Sequence, residues 1–465
     1  MSKKRVVLVE YFTLEDHTLL FIVREDFDEP KVFTIEKKLE DIQKSVRDYF
    51  QAEKNADGKF IPTRDKLKNL DEAAYQSFFA PFVVPLVSRL PNGELITEEG
   101  DIIWLVPHNV LHYLPLHALK VNWKHNEEDP EQHCYLIERN PICYTPSASV
   151  MKYCHAKRKE RREKALVLGI SEGSPPLPQA REEALMVAGL FNTEPYLDQQ
   201  ATKSLVKDKL EQERENIDIL HFCCHGRFRQ DDAFKSCIVL APEGENNGDE
   251  EQWNLTAEEI LGLDMRADLV TLSACETGVN LNRPGDELIG LTRALIYAGT
   301  PSVIVSLWEV DDLSTGLLMQ HFYQKFRQPA AENGNQFVTK AEALQEAQLY
   351  VKNLQAEAVI SYCNQRLAEL AQLEDTQLII RFLQARANIE ILAADLGAAI
   401  ATYQDIQKTL GTPKNEQDKK LAKQVAETLD DLEFKAEADN FVNYNFQPFQ
   451  ELFNWASFVL VGDWK

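Results

Sequence analysis

The stretch Ile217-Asp-Ile-Leu-His-Phe-Cys-Cys-His-Gly-Arg-Phe228 is a short apolar run that ends at a polar turn with a glycine. The stretch Asp268-Leu-Val-Thr-Leu-Ser-Ala-Cys-Glu-Thr-Gly278 repeats this pattern. Short apolar runs bounded by turn signals predict buried parallel strands. In open α/β sheets, functional groups collect beyond the carboxyl ends of the strands. His225 and Cys275 therefore form a candidate base and nucleophile at the edge where such a fold places its site.

Cys275 follows His225 by 50 residues, which is the spacing found in caspases. The local caspase signature is absent, because Ser273-Ala-Cys-Glu-Thr-Gly278 stands in its place. The sequence instead resembles the CHAT family, a branch of the caspase–separase–gingipain cysteine peptidases. The motifs that carry this resemblance are His221-Phe-Cys-Cys-His-Gly-Arg-Phe228, Leu269-Val-Thr-Leu-Ser-Ala-Cys-Glu-Thr-Gly278, Gly285-Asp-Glu-Leu-Ile-Gly-Leu-Thr-Arg-Ala-Leu295, Ser306-Leu-Trp-Glu-Val-Asp-Asp312 and Trp455-Ala-Ser-Phe-Val-Leu-Val-Gly-Asp-Trp464.

Strands and helices alternate along the second third of the chain, which predicts an α/β fold with a doubly wound, mostly parallel sheet. The resemblance implies a caspase-like version of this fold, in which a pseudo-catalytic N-terminal lobe backs the catalytic lobe. We expect the N-terminal lobe at 1–155, the catalytic lobe at 156–354, an all-helical insertion at 355–443, and a terminal strand within 444–465 that returns to the catalytic lobe.

The predicted insertion is rich in Ala, Gln, Glu, Lys and Leu and has helical periodicity. Its segments 378–393 and 396–410 predict a helical hairpin similar to one tetratricopeptide repeat, with Asp395 and Gly397 at the turn. Stable stacks of such repeats need about three units. With one recognisable unit, the region is expected to be an insertion and not a repeat array.

A thiolate is the reactive form of cysteine, and an ordinary Cys has a pKa near 8.5, so Cys275 would need His225 to take its proton or to stabilise the thiolate. Attack on a scissile carbonyl would then give an oxyanion and, after loss of the amine, an acyl-enzyme. The resemblance implies that the backbone N–H groups of Gly226 and Cys275 meet the oxyanion. A third triad member is not evident in the sequence, so we predict a dyad.

Candidate pocket residues follow the two motif strands. Asp286 lies in the loop after Cys275, and Trp308, Asp311 and Asp312 follow the next apolar run. A carboxylate in a pocket would select Arg or Lys before the scissile bond, and the resemblance implies that choice for many relatives. Each Asp could instead cap a helix or carry a solvated loop charge, and Trp308 could fill the core.

Two groups of residues raise the alternative of a metal site. His108, His112 and His117 lack an accompanying Cys or carboxylate at ligand spacing. Cys223 and Cys224 lie beside His221 and His225, but adjacent cysteines lack the usual C-x-x-C spacing. We therefore expect core or packing roles and no bound metal, with a supporting role left open for His221.

The composition limits the partners of this chain. It carries 50 basic and 74 acidic side chains, a net charge of −24, which disfavours nucleic acid and anionic membranes. A signal peptide and a membrane-length apolar run are both missing, and the eight cysteines are scattered. These features predict a cytoplasmic protein with free thiols. A basic run at 157–164 between the lobes is expected to be a solvated linker or, alternatively, a self-processing site.

These observations predict a cysteine endopeptidase that cleaves a protein substrate after a basic residue and needs no cofactor. The resemblance implies control by autoinhibition or by an activating or sensor protein, in bacterial defence or signalling. A catalytically silent scaffold that interacts through the helical insertion is the alternative. A nucleotide-binding α/β protein is least favoured, because the phosphate-binding loop motifs are absent from the sequence.

Overall fold

The computed structural model describes residues 5–50, 53–54, 60–61, 63–122, 133–172, 177–227, 229, 232–243, 252–273, 287–308, 310, 312–329, 337–371, 375–413, 415–436 and 442–465. Its strands are β1 Val6–Thr13, β2 Thr18–Val23, β3 Lys31–Ile35, β4 Glu53–Lys54, β5 Phe60–Ile61, β6 Ile102–Val106, β7 Lys120–Asn122, β8 His133–Tyr135, β9 Ile142–Tyr144, β10 Ala165–Gly169, β11 Tyr196–Leu197, β12 Ile219–Cys223, β13 Gly226–Arg227, β14 Cys237–Ile238, β15 Leu255–Thr256, β16 Leu269–Ser273, β17 Ser302–Ser306 and β18 Phe458–Gly462.

The α-helices are α1 Leu39–Phe50, α2 Thr63–Lys68, α3 Glu72–Phe79, α4 Leu136–Arg139, α5 Ala148–Lys157, α6 Pro178–Leu190, α7 Lys203–Glu213, α8 Ala257–Leu261, α9 Glu287–Ala298, α10 Asp312–Phe326, α11 Lys340–Asn353, α12 Ala356–Leu370, α13 Thr376–Leu392, α14 Leu396–Leu410, α15 Glu416–Lys435 and α16 Leu452–Trp455. Short 3-10 helices lie between them, at Ala80–Phe82, Val84–Val87, Asn109–Tyr113, Leu116–Ala118, Asp198–Gln200, Arg214–Asn216 and Ala233–Lys235.

One 11-stranded sheet organises the larger part of the chain, in the order β11-β10-β12-β16-β17-β18-β9-β6-β1-β2-β3. The strands from β11 to β17 are parallel to one another, and so are β18, β9, β6 and β1. The two half-sheets run in opposite directions and join where β18 pairs antiparallel with β17. The predicted mostly parallel α/β sheet is confirmed, and the terminal strand returns to it as its joining strand.

Helices cover both faces of the half-sheet that contains the motif strands. Tyr323 of α10 contacts Thr271 of β16. Thr292 of α9 lies beside Val305 of β17, whose register neighbour in β16 is Leu272. Since Thr271 and Leu272 are consecutive strand residues, they point to opposite faces. The predicted doubly wound arrangement is therefore present.

Local signals in the sequence account for several element ends. Thr202 caps α7 by accepting from the Leu205 N–H, and Thr256 caps α8 with Glu259 in a capping box. Gly299 follows α9 with φ +124°, and a Cβ there would lie 2.2 Å from the Met265 carbonyl oxygen. A residue with a side chain would be strained at this position, which explains why the helix ends at glycine.

The chain divides into two compact units, one made of Met1–Leu349 with Leu452–Lys465 and the other of Tyr350–Glu451. In the second unit α12, α13, α14 and α15 pack in succession around a core of Ile380, Leu383, Ile406, Val425 and Leu429. The hairpin predicted from the sequence is α13 and α14, and the Asp395 side chain caps α14. An all-helical region near the C-terminus is thus confirmed.

The basic run after α5 is bonded to the sheet. Arg158 contacts Asp463 at 2.6 Å from two guanidinium nitrogens. Arg162 is buried over the Phe326 ring at 3.9 Å and donates to the carbonyls of Phe326 and Val338. The interpretation of this run as a solvated linker is wrong for these two arginines, because both side chains have folded-state partners. Self-processing at 157–164 stays a prediction. It would require a peptidase to reach a segment whose arginine side chains are hydrogen-bonded in the folded protein.

None of the described helices combines the length and the apolar character that crossing a membrane requires.

Candidate active site

His225 lies two residues beyond the carboxyl end of β12, and its side chain is buried. Its backbone is fixed by β13, which begins at Gly226 and pairs with β14. The Val239 N–H donates to the His225 carbonyl at 2.8 Å, and Gly226 is the register partner of Ile238. The backbone pairing between β13 and β14 uses the carbonyl of His225. In an antiparallel pair, the N–H of the next residue, Gly226, then takes no part in the hydrogen bonds between the two strands. The backbone around the candidate base is therefore well defined, and Gly226 keeps its predicted role as a proposal.

Cys275, Asp286 and Asp311 lie outside the described residues. The register of the strands before them is nevertheless clear, because β12 and β16 are adjacent and parallel, with Cys223 paired to Ser273. His225 and Cys275 each follow that last pair by two residues. The two strands that precede the predicted dyad thus end side by side at the same edge of the sheet.

Trp308 is fully buried, although the sequence left it open as a pocket wall or a core residue. Its indole N–H donates to the Phe453 carbonyl at 3.1 Å, and its ring centroid is 5.9 Å from that of Phe50. Asp312 is the first residue of α10, and its side chain is not among those that the structure describes. In this structure Trp308 packs in the core, and the pocket roles of the three aspartates stay predictions.

His221 belongs to a buried polar cluster that sequence reasoning recognised only in part. Its Nε2 lies 3.1 Å from Glu183 Oε1, and its Nδ1 lies 2.9 Å from the Tyr323 hydroxyl. That hydroxyl also lies 2.8 Å from Thr271 Oγ1. No sequence pattern pointed to Glu183 or Tyr323, because both come from helices that are distant from His221 along the chain. The supporting role left open for His221 thus has two partners on which to rest.

Glu183, His221 and Cys223 could each offer a ligand atom to a metal ion, and these atoms lie within 4.8 Å of one another. The set differs from the one weighed on sequence grounds, since Glu183 replaces Cys224 and His225. Burial raises the pKa of the Cys223 thiol well above its ordinary value, and Glu183 adds to the shift. Because both His221 nitrogens have protein partners, hydrogen bonding accounts for this cluster without an ion.

The histidines of the N-terminal half have structural partners. His108 Nδ1 accepts from the Thr13 N–H at 3.1 Å, and its ring stacks on Phe12. His117 contacts the Tyr144 hydroxyl at 2.8 Å, and burial lowers the pKa of its imidazole to about 3. Burial also lowers the pKa of His112 to about 4, with the charges of Arg293 and His108 contributing. The contacts of His108 and His117 agree with the packing interpretation of these two histidines.

The model of the CHAT domain matches residues 69–463. This chain belongs to the CHAT domain family. Tetratricopeptide repeat protein 28 from Mus musculus is 28% identical over 181 residues, which cover 32% of this chain and 7% of that protein, and the protein of the same name from Homo sapiens matches to the same extent. This CHAT chain therefore spans only a small part of the length of these relatives.

Among solved structures, the Saccharomyces cerevisiae separase–securin complex is similar with a TM-score of 0.46 and 10% identity, covering 74% of this CHAT chain and 29% of that chain. The Arg-specific cysteine proteinase gingipain R is similar with a TM-score of 0.32 and 12% identity, covering 60% of this chain and 63% of that chain.

Proposed function

We propose that this CHAT protein is a cysteine endopeptidase whose dyad is His225 and Cys275. The observation that carries the proposal is the register of β12 and β16, in which Cys223 pairs with Ser273. Along the chain, His225 and Cys275 each follow this pair by two residues. Adjacent parallel strands end at one edge of a sheet, and that edge is where α/β folds collect functional groups.

The proposed reaction follows from this juxtaposition. His225 takes the proton of the Cys275 thiol, and the thiolate attacks the scissile carbonyl of a protein substrate. The oxyanion accepts hydrogen bonds from the backbone N–H groups of Gly226 and Cys275. His225 then gives its proton to the leaving amine, and water hydrolyses the acyl-enzyme. We assign the catalytic lobe to 156–354 with the terminal strand of 444–465, and the backing lobe to 1–155.

We further propose that cleavage follows Arg or Lys, with Asp286, Asp311 and Asp312 as candidates for the pocket carboxylate. The surplus of acidic side chains, 74 against 50 basic ones, also favours a basic substrate segment. Control by autoinhibition or by an activating protein, in a defence or signalling system, is the regulation we propose. The helical insertion, 355–443, is the part of the chain we assign to that control.

The test is release of a fluorophore from peptide amides that carry Arg, Lys, Asp, Met or Leu before the leaving group. Wild type is measured beside Cys275→Ala and, as a matched control, Cys134→Ser, since Cys134 is the half-exposed one among the described cysteines. We expect turnover of the Arg or Lys peptides that Cys275→Ala abolishes and Cys134→Ser retains. Turnover with another residue would keep the dyad and contradict the acidic pocket. Equal turnover in wild type and Cys275→Ala would contradict the peptidase.

A non-catalytic scaffold is the second candidate, and the compact helical unit Tyr350–Glu451 favours it. In that case no peptide of the panel is cleaved, and a reactive thiol probe labels wild type and Cys275→Ala equally. An autoinhibited enzyme gives a different result, because the probe would label Cys275 in wild type even where peptides are not turned over.

A further inference from the structure

Four buried side chains form a continuous hydrogen-bonded row on the sheet face that α6 and α10 cover. The row runs from Glu183 through His221 and the Tyr323 hydroxyl to Thr271, with distances of 3.1, 2.9 and 2.8 Å. His221, Tyr323 and Thr271 are fully buried, and Glu183 is 8% exposed. Burying a polar group costs free energy unless the group is hydrogen-bonded. Loss of one hydrogen bond in the row would therefore leave a buried polar atom of the next residue without its partner.

The Tyr323 hydroxyl bridges two strands at one register position. His221 of β12 and Thr271 of β16 are register partners, and the hydroxyl bonds both. His221 precedes His225 by four residues, and Thr271 precedes Cys275 by four. Along a strand, side chains an even number of residues apart point to the same face. The bridge therefore lies on the same face of β12 and β16 as Cys223 and Ser273, the last strand residues before the proposed dyad.

Packing alone does not account for a tyrosine at this position. Phe322 and Phe326 occupy the same helix, are fully buried, and stack on each other at 5.5 Å. The Tyr323 ring also packs edge-on against Phe191 at 5.5 Å and against His221 at 5.4 Å. A phenylalanine could make those ring contacts. What it would lack is the hydroxyl, the shared partner of His221 and Thr271.

We propose that Tyr323 is a positioning residue for the dyad. Its hydroxyl joins the His221 and Thr271 side chains across β12 and β16, with Glu183 bonding the far side of the His221 ring, and so stiffens the two strand ends that set how His225 meets Cys275. This inference rests on the proposed function. A shift of about 1 Å between reacting groups can cost about 100-fold in rate, so a small change in strand spacing would have a measurable effect.

The experiment measures the pH dependence of alkylation of Cys275 by iodoacetamide in the full chain, read by mass spectrometry of the labelled peptide. Tyr323→Phe and Thr271→Val each remove one part of the bridge, whereas Thr271→Ser retains a hydroxyl. Tyr11→Phe is the matched control, because the Tyr11 hydroxyl is also buried and donates to the Phe82 carbonyl in the other half-sheet. Melting temperatures and, where peptides are cleaved, kcat and KM are measured on the same samples.

We expect Tyr323→Phe and Thr271→Val to move the pH midpoint of Cys275 labelling towards that of an ordinary thiol, about 8.5. Their kcat should fall about 10-fold or more with KM unchanged, while Thr271→Ser and Tyr11→Phe stay near wild type in both readouts. Equal midpoints and equal kcat in Tyr323→Phe and Tyr11→Phe would overturn the positioning role.

Two other outcomes would also overturn it. One is stoichiometric zinc in the purified wild type that is lost in Cys223→Ser. His221 would then be a metal ligand and not part of the hydrogen-bonded row. The proposed function itself would fail under three joint observations. In the wild type, Cys275 would be labelled like an ordinary thiol, no peptide would be cleaved, and His225→Ala would leave the labelling of Cys275 unchanged. That last result is distinguishable from failure of the positioning role alone, in which the dyad responds to His225→Ala but not to Tyr323→Phe.

Discussion

Each of the two half-sheets has a histidine two residues beyond the end of one of its inner strands, but the surroundings of the two histidines differ. His108 follows β6 in the N-terminal half, and His225 follows β12 in the C-terminal half. The flanking strand β1 runs in register with β6 up to the pair of Glu10 with Val106 and then continues to Thr13. Its last residues supply the partners of His108, a ring stack with Phe12 and a hydrogen bond from the Thr13 N–H.

In the C-terminal half the flanking strand is shorter. β10 ends at Gly169, level with Cys223 at the end of β12, and does not extend over His225 as β1 extends over His108. The residues opposite the two histidines differ as well. Counting three residues on from the pair Leu105 with Tyr144 gives Ser147 as the sequence counterpart of His108, whereas counting two residues on from the pair Cys223 with Ser273 gives Cys275 as that of His225. The length of one neighbouring strand therefore distinguishes a histidine that packs against its neighbours from the one that we propose as the catalytic base.

The first prediction tests this contrast directly with two matched variants. His225→Ala should lower peptide turnover by about 1000-fold or more, because it removes the general base of the proposed dyad. His108→Ala should change turnover less than about threefold while lowering the melting temperature, because it removes a packed ring and a hydrogen bond. The measurements are kcat/KM and thermal unfolding of both variants. A similar loss of activity in His108→Ala would show that the two strand ends are not functionally different.

The joining strand β18 offers the second prediction, because it ties the two half-sheets together. Asp463, directly after β18, is buried and contacts Arg158 and His155 at 2.6 Å and Lys340 at 3.5 Å. Lys340 is itself fully buried and also contacts Asp268 at 2.8 Å. Removing one partner from such a cluster leaves uncompensated buried charge and typically costs about 3–5 kcal/mol.

We expect Asp463→Asn to destabilise the chain by about 3 kcal/mol, measured by urea unfolding at pH 7. Asp101→Asn is the counterpart in the N-terminal half. Asp101 pairs with Arg5, whose side chain is 30% exposed, so its loss should cost only about 1 kcal/mol. Equal losses in the free energy of unfolding would mean that burial does not make the Asp463 cluster costlier to disrupt than the Arg5–Asp101 pair. Two separate unfolding steps in Asp463→Asn would mean that the Asp463 cluster couples the two half-sheets.

These examples show which parts of the molecule the sequence could predict. The apolar runs that became β12, β16 and β17 and the caps Thr202 and Thr256 depend on neighbouring residues, so local patterns were sufficient. The Asp463–Arg158 pair joins residues 305 positions apart, and its charges look in sequence like a solvated basic run and an isolated acid. Trp308 was ambiguous for the same reason, and no sequence pattern pointed to Tyr323, since the roles of both depend on partners that only the fold brings near.

The third prediction uses pH to distinguish the buried His117 from the Asp463 cluster, because the stability that each contributes is lost in a different pH range. Burial lowers the pKa of His117 to about 3, so the unfolded chain, with a pKa of about 6.5 at this residue, takes up the proton first. The stability that depends on neutral His117 is full above pH 6.5 and falls steadily as the pH drops towards the folded value. Burial alone would raise the pKa of Asp463, but the hydrogen bonds of Arg158 and His155 and the charge of Lys340 hold it below its ordinary value. The stability due to that carboxylate is complete above about pH 4 and is lost only in stronger acid.

We therefore expect the free energy of unfolding to fall between pH 6 and pH 4 by about 1.4 kcal/mol per pH unit for each buried neutral histidine. His117→Gln should remove about one proton from this slope, because glutamine does not titrate, and Asp463→Asn should leave the slope between pH 6 and pH 4 unchanged. The comparison needs urea unfolding at pH 7, 6, 5 and 4 for the three proteins. If His117→Gln kept the wild-type slope, protonation elsewhere would dominate the acid sensitivity. Neutral, buried His117 would then not be a main source of the acid sensitivity between pH 6 and pH 4.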